Sequence, residues 1–311
     1  MSQHPTGDQY ELLLQDGART MTATVTQVAA GLRALAVDGV ALAETFPVDA
    51  APPSACGITL VPWPNRVADG RWTLEGAVQQ LDLTEPSKHN ASHGLLRHTA
   101  YRLVEREPHA VTQGATVFPQ HGWPFQLDVT VRHELVADGL VVTHVVRNVG
   151  RGRAPVALGS HPVLRVGDHD VATLTVTLDA ATRYLVDDRS IPTGTEPVDG
   201  TDADLRHGPR VGDLDLDTTY RDVAADEEGV RRTTLMAPDG SAVEMWQGPA
   251  YDHVQVFTPR NFPRDGVLGL AVAAEPMTAP ANALATGEGL HWLDEGETLT
   301  AAWGVRYLPA G

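Results

Sequence analysis

Glu275 is a carboxylate in an unusual place for a surface charge. It closes the uncharged run Leu268-Gly269-Leu270-Ala271-Val272-Ala273-Ala274 and is followed by Pro276-Met277. The run has strand length and reads as a strand buried on both faces. Pro276 has no N–H to donate and is expected to stop the pairing. That places the acid at the rim of a core, half out of water, where an unpaired carboxylate is costly. It must have a structural partner or take part in acid–base chemistry. Four other segments put polar residues in similar settings. Asn65-Arg66 sits in the Pro- and Trp-flanked stretch Val61-Pro62-Trp63-Pro64-Asn65-Arg66-Val67, where an arginine is a fixed fork of donors that never deprotonates. His93 is followed by Gly94, which permits close backbone approach. His161 follows the apolar strand end Leu158-Gly159-Ser160, and Asp217 lies in the acidic run Asp213-Leu214-Asp215-Leu216-Asp217. A carboxylate and a histidine together can move protons near neutral pH.

Each of these residues also has a plainer reading. Glu275 would be a capping acid, Arg66 a cation stacked on Trp63 or Trp72, His93 and His161 hydrogen-bonded core residues, and the acidic run a solvated loop. Nothing local separates Asp217 from Asp215. Other chemistries lack their signatures: there is no Gly-rich phosphate loop, no His-Glu-x-x-His and no Gly-x-Ser-x-Gly. His89 and His93 have i, i+4 spacing, but the loop-like Asn-Ala-Ser between them weakens the helix a metal site would need. No metal and no cofactor are expected.

The elements that must carry these residues read as strands. Residues 126–136 alternate and turn at Asp138-Gly139 into 140–146, and Asp-Gly between alternating runs signals a hairpin. The device recurs at Asp38-Gly39 and at Asp239-Gly240, which joins 233–237 to Ala242–Gln247. Further strands are expected at 22–28, 155–159, 172–178, 253–258 and 298–307. No long stretch shows helical spacing, and the 22 prolines and 29 glycines fall mostly between the strand-like runs, where turns need them. The expectation is one all-β domain over residues 1–311, a large antiparallel sandwich with few short helices. Residues 1–14 are expected to be peripheral, and 187–212 to form a long polar functional loop.

Composition narrows the partners. With 311 residues and 42% hydrophobic content the chain can bury a sizeable core. A formal charge of −17 argues against nucleic acid and anionic membranes, which require clustered Lys and Arg. Cys56 is the only cysteine, so no internal disulfide can form. The N-terminus lacks the basic and apolar regions of a signal peptide, and no apolar stretch approaches the ~20 residues that span a bilayer. A cytoplasmic protein, monomer or homodimer, is expected.

Taken together, the segments resemble the aldose 1-epimerase (galactose mutarotase) family from about residue 15 to the C-terminus. Pro64-Asn65-Arg66-Val67-Ala68-Asp69-Gly70-Arg71-Trp72 is similar to its Asn-Arg-Ile segment followed by Gly-Arg-Tyr. His93-Gly94-Leu95 resembles its His-Gly motif, and Gly159-Ser160-His161-Pro162 its central histidine motif. Asp217-Thr218-Thr219-Tyr220 resembles its Asp-x-x-Phe element, which selects Asp217 over Asp215. Ala274-Glu275-Pro276-Met277, with Asn282-Ala283 after it, resembles its C-terminal glutamate motif. The form of the His-Pro and Glu-Pro-Met motifs is nearest to divergent bacterial branches. The resemblance implies a β-sandwich with a sugar cleft on one sheet and cofactor-independent interconversion of the anomers of an aldohexose such as glucose or galactose. It implies Glu275 as base toward O1, His161 as acid toward O5, and Arg66, His93, Asp217 and Asn65 as substrate-binding. An ordinary Glu is ionised at neutral pH, and a His near ~6.5 still holds a proton to give. Trp63, Trp72, Trp123 and Trp246 are candidates for stacking on the sugar.

Three other readings compete. A hexose-6-phosphate 1-epimerase would need basic residues at the cleft, for which Arg71, Arg97 and Arg102 are available. A non-catalytic carbohydrate-binding module would have no need of the Glu275 and His161 pair. A glycosidase would need two carboxylates, with only Asp217 to pair with Glu275.

Overall fold

The alternating runs become the strands of two eight-stranded antiparallel sheets. The structure, a computed structural model, describes residues 4–264 and 266–311. The first sheet runs in the order Arg102–Glu107, Ala110–Val117, Leu127–Val136, Gly139–Asn148, Thr298–Leu308, Ala242–Gln247, Arg231–Met236, Thr175–Leu178. The second runs Pro192–Pro197, Ala180–Val186, Asp217–Val223, His253–Phe257, Val272–Met277, Gly159–Ser160, Thr59–Leu60, with Val163–Leu164 also pairing Val272–Met277. Valines on alternate positions of both sheets, such as Val129, Val131 and Val305 from one and Val254 and Val256 from the other, meet in a single apolar core. Because successive side chains point to opposite faces, His253, Gln255 and Phe257 are left on the other face of the second sheet. Register then aligns rows across neighbouring strands: Thr219 lies opposite Gln255, and Gln255 opposite Glu275. Helix is limited to Ala283–Thr286 and four short 3-10 turns among the described residues.

Four expectations change. The run 268–274 is not one strand: Val267–Gly269 pairs in a small hairpin with Phe262–Arg264, and the buried strand is Val272–Met277. Pro276 does not stop that strand, since it lies opposite Val254 inside the ladder. Residues 1–14 are not peripheral throughout. Gln9–Asp16 is a strand paired with Arg19–Thr26 in a four-stranded sheet, and it buries Tyr10 and Leu12 in the core. The stretch 187–212 is not irregular, because Pro192–Pro197 forms an edge strand within it. Asp38-Gly39 turns as expected, with both residues at positive φ. At Asp138-Gly139 the reason for glycine differs: Gly139 already pairs in its strand, and a Cβ there would meet the Val305 carbonyl oxygen at 1.9 Å.

The core also holds two histidines on adjacent strands, His133 and His144, both fully enclosed. His144 Nδ1 is 2.5 Å from the Tyr251 hydroxyl, whereas His133 Nδ1 has no partner among the described residues. Burial pushes both down from the ordinary 6.5, to about 3 for His133 and about 4 for His144. Protons below pH 6.5 therefore bind the unfolded chain and not the folded one. Stability is complete above that pH and is lost as pH falls toward 4, by about 1.4 kcal/mol per pH unit for each group. The melting temperature should drop across this window, and His133→Leu should make the drop shallower. A flat profile, or one equally steep in the variant, would contradict this account.

Candidate active site

On the outer face of the second sheet, loops close a cavity of about 310 Å³, at the small end of ligand pockets. Asp217, Phe257 and Glu275 of the second sheet face into it. Its walls come from three excursions. Residues 54–55 belong to a 3-10 turn, Asn65 precedes and Arg66 begins a short strand, and Ser92 ends the strand paired with it, just before His93, Arg66 lying opposite Ser92. Ser54, Ala55, Asn65 and His93 all adopt positive φ, which side chains rarely tolerate. The backbone is thus bent away from regular pairing where it borders the cavity. Gly94 provides the close approach expected of it, since a Cβ would meet the Val61 carbonyl oxygen at 2.0 Å. The His93 N–H donates to the Asn65 carbonyl (2.8 Å), which ties the two walls together.

All six residues singled out in the sequence line this one cavity. His161 Nε2 lies 3.2 Å from Glu275 Oε1. Glu275 is not half out of water but 2% exposed, and His161 is 5% exposed. The His161 backbone is held on both sides, its N–H donating to the Ile58 carbonyl and its carbonyl accepting from the Gly57 N–H. Edge-on to it stands the His93 ring, with centroids 5.7 Å apart. Arg66 donates from Nε and Nη2 to the two Glu85 oxygens (2.9 and 3.3 Å), and its Nη1 lies 3.5 Å from Asp217 Oδ2. Asp217 accepts from Gln255 Nε2 at 2.6 Å. Gln255 Oε1 in turn accepts from Asn65 Nδ2 (3.4 Å) and from the Thr219 hydroxyl.

Burial sets the charge states. It raises the Glu275 carboxyl well above the ordinary 4.5, with Asp217 adding to the effect and Arg66 opposing it. Burial also pushes His161 down to about 4, and His93 well below 6.5 with help from His161. The surroundings thus disfavour the charged form of both members of the pair, a carboxylate on Glu275 and an imidazolium on His161. Glu275 Oε2 and the Nδ1 atoms of His93 and His161 are buried without a partner among the described residues. For Arg66, burial acts against the charge, but Glu85 and Asp217 outweigh it and raise the pKa.

Sequence reasoning missed Glu85, Gln255 and Phe257. Glu85 carries no local signal. Gln255 had one: a polar residue between Val254 and Val256 must face away from the core. Phe257 is the aromatic residue that borders the cavity, whereas Trp63, Trp72 and Trp123 pack in one core cluster and Trp246 lies on the far sheet. Of the three candidate arginines, Arg97 lines the cavity and Arg71 and Arg102 do not. His89 turns outward to Asp69 (3.4 Å), and among the described residues no group of three His, Cys, Asp or Glu is placed to hold a metal ion. No helix among the described residues is long and apolar enough to cross a membrane.

Comparison with known proteins agrees with the motif reading. The family model described as aldose 1-epimerase matches residues 10–305. An uncharacterised Escherichia coli K12 protein, YihR, is 30% identical over 277 residues, covering 88% of this chain and 86% of the relative. A GalM/aldose epimerase homologue from C. elegans superimposes with a TM-score of 0.84 at 16% identity, covering 98% of this chain and 100% of the other. A galactose 1-epimerase from Lactobacillus acidophilus gives 0.80 at 18%, covering 100% and 98%. At such identities the two structures show a shared fold.

The buried acid has a measurable consequence. A carboxyl whose folded pKa is raised leaves stability intact below the unfolded value near 4.5 and loses it as pH rises. Glu275→Gln should therefore raise the melting temperature at about pH 7.5 and leave it unchanged near pH 4. Thermal melts at the two pH values test this, and a variant that melts lower at both would show the carboxylate to be a structural partner.

Proposed function

We propose that this chain, which belongs to the aldose 1-epimerase family, interconverts the α and β anomers of a free aldohexose such as glucose or galactose by acid–base ring opening and reclosure. The observation that carries this reading is the buried Glu275–His161 pair, 3.2 Å apart at the floor of a sugar-sized polar cavity. The reaction removes the proton from O1 and delivers one to O5. The O1–H electrons form the C1 carbonyl as the C1–O5 bond breaks toward O5. The aldehyde turns about C1–C2, and O5 adds to its other face. No net oxidation occurs.

On this reading the pair carries the single proton the reaction needs. A neutral carboxylic acid beside a neutral imidazole has the same proton count as a carboxylate beside an imidazolium, and the direct contact lets the proton pass between them. A bound sugar, with Arg66 favouring the carboxylate, draws the pair to the second form. Glu275 then accepts from O1 and His161 donates to O5. Arg66, Asp217, His93 and Asn65 hold the ring hydroxyls so that O1 and O5 meet the two groups. Phe257 offers an apolar face to the ring.

Arg97 at the wall supports the second reading, a hexose-6-phosphate substrate. Polarimetry on freshly dissolved α-glucose and α-galactose, free and 6-phosphorylated, separates the readings. Wild type should accelerate the free sugars. Glu275→Gln and His161→Asn should each lose about 10²–10⁴-fold in rate while still binding sugar. Acceleration confined to the phosphates and abolished by Arg97→Ala would establish the phosphate reading instead. Sugar binding without acceleration would mark a non-catalytic binding protein.

A further inference from the structure

Arg66 holds its place in the cavity only if the strand that carries it, Arg66–Ala68, is itself fixed. One edge of that strand pairs with Asn90–Ser92. On the other edge the Arg66 carbonyl and the Ala68 N–H project together, because groups two residues apart along a strand point the same way. Among the described residues no strand lies there. Instead one residue, Asn282, meets both groups: its N–H donates to the Arg66 carbonyl at 2.5 Å, and its side-chain Oδ1 accepts from the Ala68 N–H at 3.1 Å. Asn282 adopts φ 65 and ψ 15, a left-handed conformation that Asn and Gly tolerate best. In that conformation its side-chain amide stands in for the backbone carbonyl of a missing strand partner.

The segment that presents Asn282 is pinned at both ends. Thr278 exchanges hydrogen bonds with Leu158: its N–H donates to the Leu158 carbonyl and its hydroxyl oxygen accepts from the Leu158 N–H, each 2.9 Å. Glu288 Oε1 accepts from the Tyr184 hydroxyl (2.5 Å) and Arg221 Nη1 (3.0 Å). Thr278 follows the strand of Glu275 directly, and Leu158 precedes Gly159–Ser160, the strand that leads into His161. The strap thus starts beside the acid–base pair and reaches across to the arginine's strand.

We propose that Asn282 is a positioning residue for sugar binding: acting through the backbone of Arg66, it sets where the guanidinium sits relative to Glu275 and His161. The inference rests on the reading of the cavity as a sugar site. Its substitutions separate strain from hydrogen bonding. Asn282→Gly keeps the left-handed backbone and the N–H but removes Oδ1. Asn282→Asp keeps both backbone and acceptor.

The Gly variant should bind sugar about tenfold more weakly, the weight of one hydrogen bond to an enclosed backbone group, with kcat within about threefold of wild type. The Asp variant should be restored to near wild type. In an Arg66→Met background the Gly change should have no further effect on affinity, because the residue it acts through is gone. Hydrogen exchange at the Ala68 amide, measured without sugar, should speed up in the Gly variant and recover in the Asp variant. Wild-type affinity in Asn282→Gly, equal impairment in Asn282→Asp, or full multiplication with Arg66→Met would each overturn the proposal. Unchanged exchange at Ala68 would overturn it as well. If wild type turns over no aldose, the enzymatic reading fails on that ground, and the affinity and exchange measurements still decide the role of Asn282.

Discussion

A carboxyl and an imidazole held in contact and almost wholly out of water are a costly arrangement, because charge there is unfavourable on either group. Glu275 and His161 are in this position, and much of the surrounding structure serves to make it tolerable. Arg66 supplies a nearby positive charge without itself being free to swing, since Glu85 occupies its fork. Asp217 balances that charge at the rim and is fixed by Gln255. His161 cannot retreat because both of its backbone groups are bonded to neighbouring chain. The site is a set of constraints on where one proton can go.

Those constraints derive from antiparallel pairing. Period-two alternation sends the valines of a strand into the core and its polar residues to the other face. Register then sets Thr219, Gln255 and Glu275 side by side from three distant parts of the chain. The segments above the sheet add what it cannot: a histidine and an asparagine on backbone that has left the ladder, and an arginine at the start of a short paired strand. The rigid sheet supplies the acid, and the irregular segments supply most of what would hold a ligand against it.

Much of this was legible in the sequence, for identifiable reasons. The all-β architecture could be read because alternation and Asp-Gly turns are local signals. Glu275 and His161 stood out because each ends an apolar run, and their association came from motif resemblance, which no local pattern could supply. What was not legible depends on contacts between distant segments. Glu85 is an ordinary acid until Arg66 folds onto it. Pro276 looked like a strand terminator because proline lacks a donor, yet the strand tolerates it beside Val254. The direction in which burial moves the two pKa values was not legible either, because a pKa belongs to an environment, and the depth of burial of Glu275 is set by the walls around it.

The left-handed residues along the cavity wall, Ser54, Ala55, Asn65 and His93, bear on how such a site can diversify. Branched or bulky replacements at these four positions would force backbone torsions that only small or amide side chains bear easily. Changes in what the cavity admits are therefore channelled to neighbours on ordinary backbone, such as Thr84, Arg97 and Phe257. A lineage that explores new ligands would vary those side chains first and keep the bent frame as its inheritance.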